Sequence, residues 1–534
     1  MFDVSVDWVR TNARRFGSSP ALWNVETGER YTWSELDDRV GRLAGVLSEL
    51  FGIGVKDRVL LIAEGDTRTF ELQFACMRLG AIMVPLNWRL TVPELAELAR
   101  DVAPTLIVHD DVWQSVAVEL SSLAGIAARL SWRCGAPVID YDDAVAAATP
   151  IDPRTDLPLD LPTHILHTSG TTGPPKGALT TAKTLVWQAL NTAADAGMTG
   201  PGCVLLNPMP LFHAGGLTTV AAPMLMTGGA VATMRRFEAA EVLEVLGDPA
   251  CEISHFTAPP VMWLMLANQP GFAAADFSQL RFAQIAGGLP AEELLRRWQA
   301  RGVVLRAAYG GTEMGPGVTT MPAESALTRP GSCGRAVPFS HVRLVGEDGT
   351  DVPDGQPGEI WVKGPAVSPG YWQAGRSPVV DRPDGWLHTG DVAWRDADGF
   401  FYLVDRINDM YKSGGENVAP AEVERALLTH SAVADVAVVG VPDEHWGEVG
   451  RAYVVLAAGA SVTLSELREH CRRTIARYKA PRSLVIVDQL PRNSTGKVSR
   501  SALREYFADK AVHHDTAPAV VPEGAASVGT KSTL

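Results

Sequence analysis

The chain has 534 residues, 46% of them hydrophobic and 20% charged, and a formal net charge of -14. That length exceeds one ordinary hydrophobic core, so at least two domains are expected, and the composition excludes a disordered or fibrous polypeptide. The acidic balance argues against a general nucleic-acid binder and requires any anion site to concentrate its positive charge locally.

The six cysteines, Cys76, Cys134, Cys203, Cys251, Cys333 and Cys471, are scattered with no Cys-x-x-Cys pair. This excludes a zinc framework and fits free thiols in a reducing compartment. The opening residues Met1 to Asp7 carry acids where a secretory signal carries bases. No apolar run is long enough to span a bilayer, so a cytoplasmic protein is expected.

In chain order, Asp7 to Phe16 reads as a short helix. Thr32-Trp33-Ser34-Glu35 is a capping-box pattern, and Leu36, Val40, Leu43, Leu47 and Leu50 then recur at helical spacing, giving one buried face. Val59 to Ala63 reads as a strand, Thr67 to Leu79 as a helix and Ala81 to Pro85 as a strand, a βαβ unit that implies a parallel sheet. Thr91 to Asp101 reads as a helix and Thr105 to Val108 as a strand. Gly52-Ile53-Gly54 begins a dinucleotide fingerprint, but Asp57 stands where the third glycine belongs. Asp152 to Pro162 reads as a connector.

Next comes Thr168-Ser169-Gly170-Thr171-Thr172-Gly173-Pro174-Pro175-Lys176-Gly177, after the apolar run Thr163 to His167 and before a helix expected over Ala178 to Leu190. Strand, small-residue loop and helix would present N–H groups and hydroxyls to a phosphate. Gly170 and Gly173 allow close backbone approach, Ser169, Thr171 and Thr172 add donors, and Lys176 adds charge. A P-loop would need Gly-Lys-Ser/Thr, which is missing.

Strands and helices alternate to about Arg306, which suggests a second α/β sheet. From Gly331 to Val404, glycine and proline turns separate short β runs such as His341 to Val345 and Glu359 to Lys363, a small β-barrel-like subdomain. Val418 to Leu428 and Leu464 to Ala476 read as helices around the strand-like Val433 to Val441, a small α+β domain. The tail beyond Phe507 has little periodicity and is expected to be disordered.

Other strings stand out: Pro208 to Gly216 around His213, Ala286-Gly287-Gly288, Tyr309-Gly310-Gly311-Thr312-Glu313, Trp386 to Asp391, Gly399 to Arg406, Lys412 to Asn417, and Pro491 to Val498 around Lys497. Alone, His213 would more often be a structural histidine, Asp391 a turn acid and Lys497 a solvated charge. Together and in this order, the strings resemble those of the adenylate-forming superfamily, which includes acyl- and aryl-CoA synthetases, adenylation domains and luciferases. The resemblance spans about Val9 to Phe507.

The resemblance implies two α/β sheets and the β subdomain (about 331–404) in an N-terminal domain over 1–406. It also implies a mobile α+β domain over 407–508, with a tail at 509–534. It implies ATP and AMP binding by Thr168, Ser169, Gly170, Thr171, Thr172, Gly173, Lys176, Gly287, Gly288, Tyr309, Gly310, Thr312, Asp391, Arg406 and Lys497. Glu313 and Thr168 would hold Mg²⁺ through hard oxygens. Asp391 would accept from the ribose hydroxyls and Tyr309 would stack on adenine. His213, Thr312, Glu313 and Lys497 are the expected catalytic set, with His213 as contact and gate at the acid's carboxylate. Gly414 and Gly415 would line the thiol path in the second half-reaction. The hinge position, often Asp or Lys in the family, is Asn408 here.

An acyl pocket is expected from His213, Phe256, Thr257, Val261, Gly310, Gly311, Met314 and Gly315. Apart from His213 these residues are apolar or small, with no dedicated cation for a second carboxylate, which favours a fatty or aromatic monocarboxylic acid. The expected activity is ATP-dependent acid–CoA ligation through acyl-AMP, with ATP, Mg²⁺ and coenzyme A consumed or required, no nucleic-acid partner, and a homodimer left open. Loading of a carrier protein, oxidative use of the adenylate and a non-catalytic relic of the fold remain the alternatives.

Overall fold

The computed structural model describes residues 7–134, 138–168, 175–373, 384–406, 409–413, 416–443, 446–492, 497–500 and 502–504. Two compact units emerge. The first comprises Met1–Arg343, Trp361–Thr389 and Arg395–Tyr402; the second comprises Leu344–Ile360, Gly390–Trp394 and Leu403–Leu534.

The first unit holds two sheets. A seven-stranded sheet runs in the order Ile139–Asp140, Ala128–Trp132, Leu106–Asp110, Arg58–Ile62, Ile82–Pro85, Pro162–Thr168, Lys176–Thr181. Its pairs are parallel except the last, which is antiparallel. A nine-stranded sheet runs in the order Arg335–Ala336, Gly315–Thr320, Leu305–Gly311, Phe282–Ala286, His255–Ala258, Val204–Asn207, Ala230–Thr233, Pro20–Asn24, Arg30–Thr32. The second α/β sheet expected from the sequence is this one.

Strand alternation explains how the layers form, because successive side chains face opposite sides. Val59 and Leu61 join one apolar cluster with Leu205 and Val231 of the other sheet and with helices Trp33–Gly45 and Thr67–Leu79. Leu60 and Ile62 join a second cluster under helix Val92–Val102. The far face of the nine-stranded sheet is covered by helices Ala239–Leu246, Pro260–Ala267 and Glu292–Gln299, around Phe256, Trp263 and Trp298.

The capping box forms as the sequence indicates: Glu35 N–H donates to Thr32 Oγ1 and Thr32 N–H to the Glu35 carboxylate. The apolar stripe behind it is buried from Leu36 to Leu47. Leu50 is the exception, at 55% exposed. A π-turn over Val46–Leu50 widens the last turn, so the 3.6-residue spacing no longer points inward there.

A four-stranded sheet of order His341–Val345, Gly358–Lys363, Leu387–Arg395, Phe401–Arg406 forms the β subdomain. The second unit's own sheet places Tyr411–Ser413 between Glu416–Val418 and Gly447–Leu456, with Val433–Asp443 and Ser483–Ile486 flanking the last. Helices Pro420–Leu428 and Leu464–Cys471 belong to this unit. The Tyr411 side chain is threaded past two glycines. A Cβ at Gly440 would lie 2.4 Å from Tyr411 Cβ, and one at Gly450 would lie 2.3 Å from the Tyr411 hydroxyl. No side chain is tolerated at either place while the tyrosine stays.

Two of the buried histidines, His164 and His255, tie stability to pH. Burial holds His164 at a pKa of about 3. Burial likewise lowers His255 to about 4, against hydrogen bonding to the Ala196 carbonyl. Unfolded histidine titrates near 6.5. Between the folded and unfolded values the unfolded chain binds more protons, so stability falls as pH falls through this window. His255 alone corresponds to about 3 kcal/mol when the window is crossed. Urea unfolding at pH 7.5 and pH 5 is expected to show a lower midpoint at pH 5. An unchanged midpoint would mean that these imidazoles titrate alike in the folded and the unfolded chain.

Candidate active site

The glycine–threonine string connects two antiparallel strands, Pro162–Thr168 and Lys176–Thr181, with Thr168 paired to Lys176. This corrects the expected helix over Ala178 to Leu190, which begins instead at Ala182. Thr184 N–H donates to Thr181 Oγ1 at 3.1 Å and Thr181 N–H to Thr184 Oγ1 at 2.9 Å. That reciprocal cap fixes the helix start, while Ala178 and Leu179 are held in the sheet by pairing with Leu166 and Ile165. The string is therefore no helix N-terminus. Ser169, Gly170, Thr171, Thr172 and Gly173 lie outside the described residues.

At the end of the first strand, Thr168 Oγ1 donates to Glu313 Oε1 at 3.0 Å. The Tyr371 hydroxyl donates to the same oxygen at 3.2 Å. The Ser368 N–H donates to the Glu313 carbonyl at 2.9 Å. Lys176 Nζ lies 5.3 Å from the centroid of the Tyr371 ring. The fold thus brings together the two expected metal ligands, which are 145 positions apart in the chain. Tyr371 was not foreseen: nothing in the local pattern of Gly370-Tyr371-Trp372 marks it as a partner of a distant glutamate. A carboxylate and a hydroxyl this close are hard oxygen donors that suit Mg²⁺. Among the described residues no group of three or more His, Cys, Asp or Glu could hold a metal. Phosphate oxygens and water would have to complete the ion's shell.

His213 follows Phe212, with ring centroids 4.4 Å apart, and precedes a π-turn over Gly215–Thr219. The turn is anchored by Asn207 Nδ2 donating to the Gly216 carbonyl at 2.8 Å. Gly287, just past strand Phe282–Ala286, has φ 81°. Tyr309 is buried on strand Leu305–Gly311, and Thr312 follows it half-buried. Gly310 is exposed, and a Cβ at Gly311 would meet Met314 Cε at 3.1 Å. Gly315 has φ 81° and packs against the Ala366 carbonyl.

One expected pocket residue, Phe256, falls elsewhere. The Phe256 ring is fully buried in the core, 4.9 Å from the Trp263 ring, because it faces the opposite side of its strand from Thr257. Val261 is 48% exposed on helix Pro260–Ala267. The Thr257 hydroxyl, by contrast, is buried and finds no hydrogen-bond partner among the described residues.

In the second unit, Asp391 lies in the middle of strand Leu387–Arg395 and is buried, which removes the turn-acid reading. Arg406 Nε donates to Asp391 Oδ1 at 2.9 Å. Next to it, the Gly390 N–H donates to Glu359 at 2.9 Å. Lys497 shares this electrostatic neighbourhood. Burial lowers its pKa from the ordinary lysine value, the Arg406 charge lowers it further, and the Asp391 carboxylate opposes both. The residue itself keeps exposed surface, so it is the packing around its charge that shifts it. Asn408, Gly414 and Gly415 lie outside the described residues. Asp409 pairs with Arg500 at 3.5 Å and Arg504 at 3.1 Å.

The fold and these two groups of residues define a nucleotide-handling α/β enzyme, and comparison with known proteins is specific. The AMP-binding enzyme family matches residues 9–372, and the AMP-binding enzyme C-terminal domain matches residues 422–497. A feruloyl-CoA synthase from an Amycolatopsis species is 37% identical over 498 residues, covering 92% of this chain and 98% of that protein. An indoleacetate–CoA ligase from Aromatoleum aromaticum is 33% identical over 519 residues, covering 96% and 99%. The solved structure of O-succinylbenzoate coenzyme A synthetase from Bacillus subtilis, in complex with ATP and magnesium ion, superposes with a TM-score of 0.82 at 28% identity, covering 93% and 99%. The chain belongs to the AMP-binding, adenylate-forming enzyme family. Within it, the chain is an AMP-forming ligase, most like the aromatic- and fatty-acid CoA ligases. Among the described residues no helix is long and apolar enough to cross a membrane.

Proposed function

We propose that this protein joins an apolar monocarboxylic acid, aromatic or fatty, to coenzyme A in two steps at the expense of ATP. The observation that carries the reading is the convergence of Thr168, Tyr371 and Glu313 on one carboxylate oxygen beside Lys176. In the first step a carboxylate oxygen of the acid attacks the α-phosphorus of ATP, forming acyl-AMP and releasing pyrophosphate. In the second, the coenzyme A thiol loses its proton and attacks the acyl carbonyl, and AMP leaves. Adenylation is needed because a carboxylate presents a poor leaving group to a thiol.

Catalysis in the first step is positioning and charge stabilisation. Thr168 and Glu313 would hold Mg²⁺, which supplies positive charge to the phosphates. Lys176 and the loop hydroxyls hold the phosphate tail. Tyr309, Gly287 and Gly288 shape the adenine site, and Thr312 donates to the α-phosphate. Asp391 accepts from the ribose hydroxyls, a role for which Arg406 holds it in place. His213 borders the acid's carboxylate. In this reading the chain divides at Asn408 into catalytic domains over 1–406 and 407–508. The second serves thioester formation through Gly414 and Gly415. Dependence on ATP and coenzyme A suits a cytoplasmic location.

The test is AMP formation with ATP, Mg²⁺ and a panel of aromatic and fatty acids, with and without coenzyme A. Coenzyme-A-dependent turnover on an aromatic or fatty acid is the expected result. Adenylate without coenzyme-A-dependent turnover would point to a carrier-protein acceptor. Pyrophosphate exchange with no acid would refute the ligase reading.

A further inference from the structure

Helix Ala182–Ala196 turns a polar face inward, with Gln188, Asn191 and Asp195 spaced three and four apart. The lower part of that face is satisfied. Asn191 Oδ1 accepts from the Phe339 N–H at 3.0 Å, and Asp195 accepts from Thr320 at 2.9 Å and from Arg306. Gln188 differs. Only 4% of its surface is exposed, and its Nε2 donates to the Ala366 carbonyl at 3.4 Å. That carbonyl fixes the amide's orientation, because only the nitrogen end can donate to it. The other end, Oε1, is buried and has no hydrogen-bond partner among the described residues. An unpaired buried acceptor is a cost that a folded protein rarely carries without reason.

The position of Gln188 supplies a reason. The Ala366 carbonyl that receives its amide is the same atom that packs against Gly315, where a Cβ would lie 3.0 Å away. Gly315 follows Met314, whose methyl lies over Gly311. The same helix packs against the π-turn Gly215–Thr219 that follows His213 and against strand Gly315–Thr320. Gln188 therefore stands among the elements that carry the remaining acyl-pocket residues. Thr257, on the strand end expected at this pocket, also has a buried hydroxyl without a hydrogen-bond partner among the described residues.

We propose that Gln188 is a specificity-determining residue whose Oε1 accepts a hydrogen bond from a hydroxyl on the acid, so that the preferred substrate is a hydroxylated aromatic acid. The inference rests on the ligase reading above and adds to it the polar group the acid must bear. A site built to bind a hydroxyl discriminates strongly against the analogue that lacks it, because its own acceptor is then stranded. An apolar pocket would show no such preference.

The test uses the full chain and matched pairs: 4-hydroxycinnamate against cinnamate, and 4-hydroxybenzoate against benzoate. The readout is kcat/KM for acid-dependent pyrophosphate exchange. In the unaltered enzyme the hydroxylated member of the better pair is expected to lead by about 10-fold or more. Gln188→Leu, of similar volume, should bring the ratio to about 1 while leaving the deoxy acid within roughly 3-fold of its starting value. Gln188→Met serves the same purpose if the leucine variant does not fold. A ratio near 1 in the unaltered enzyme would overturn the proposal. So would variants that lower both acids equally, since that is the signature of a structural glutamine. Loss of exchange with every acid in the unaltered enzyme would overturn the ligase reading itself, a distinct outcome.

Discussion

Replacing Lys497 with alanine is expected to lower the adenylation half-reaction by at least about 100-fold, while thioester formation from supplied acyl-AMP survives nearly intact. The asymmetry follows from charge. Adenylation transfers a phosphoryl centre with negative charge spread over its oxygens, and a mobile ammonium stabilises that charge. The second step has no triphosphate to stabilise. The surroundings of Lys497 give a second readout. Its pKa lies below the ordinary lysine value, through burial first and the Arg406 charge second. The useful form is the protonated one, so adenylation should decline with rising pH at a lower pH than a free lysine would impose. Lys497→Arg should move that alkaline limb upward even if it lowers the maximum rate. Pyrophosphate exchange across pH separates these cases. Equal loss of both half-reactions in Lys497→Ala would show that the lysine is not a step-specific group.

The second large effect is expected at Glu313. Glu313→Gln keeps an oxygen that Thr168 and Tyr371 can still reach but removes the charge. If the carboxylate holds Mg²⁺, adenylation should fall by about 100-fold or more, and half-maximal activity should need several-fold more Mg²⁺. Folding should change little, since both hydrogen bonds to the oxygen have an amide substitute. A purely structural glutamate would give the reverse: lowered thermal stability and an unchanged Mg²⁺ requirement. Measuring Mg²⁺ titration curves beside thermal melts distinguishes the two.

What could be read from the sequence was whatever a local rule enforces. The Thr32–Glu35 capping box, the Thr67–Leu79 helix and the βαβ order follow from caps and periodicity, and the structure agrees to within a residue or two. The failures have physical causes. Leu50 turned outward because a π-turn changed the angular step of the helix, which no 3.6-residue template anticipates. The segment after Lys176 pairs with Pro162–Thr168, and that pairing overrides the helix propensity of its alanine and leucine. Phe256 stands in the chain where the pocket is expected, but strand alternation sends neighbours to opposite faces, and of Phe256 and Thr257 the threonine faces away from the Trp263 cluster. Tyr371 and Gln188 were missed because their meaning is relational. Neither residue belongs to a motif, and each matters only for the distant group it meets.

The hairpin that replaced the expected helix also bears on how tolerant this chain can be. A loop closing two paired strands is fastened on both sides by the ladder itself, with Thr168 opposite Lys176. Residues added or removed between those two would leave the ladder, and hence the threonine and the lysine, where they stand. One residue inserted upstream, within Pro162–Thr168, would instead swap the faces of everything after it and turn Thr168 away from Glu313. The stretch that looks most specialised in the sequence is thus where length variation should be mechanically cheapest, and the plain apolar strand before it is where a single insertion would be ruinous.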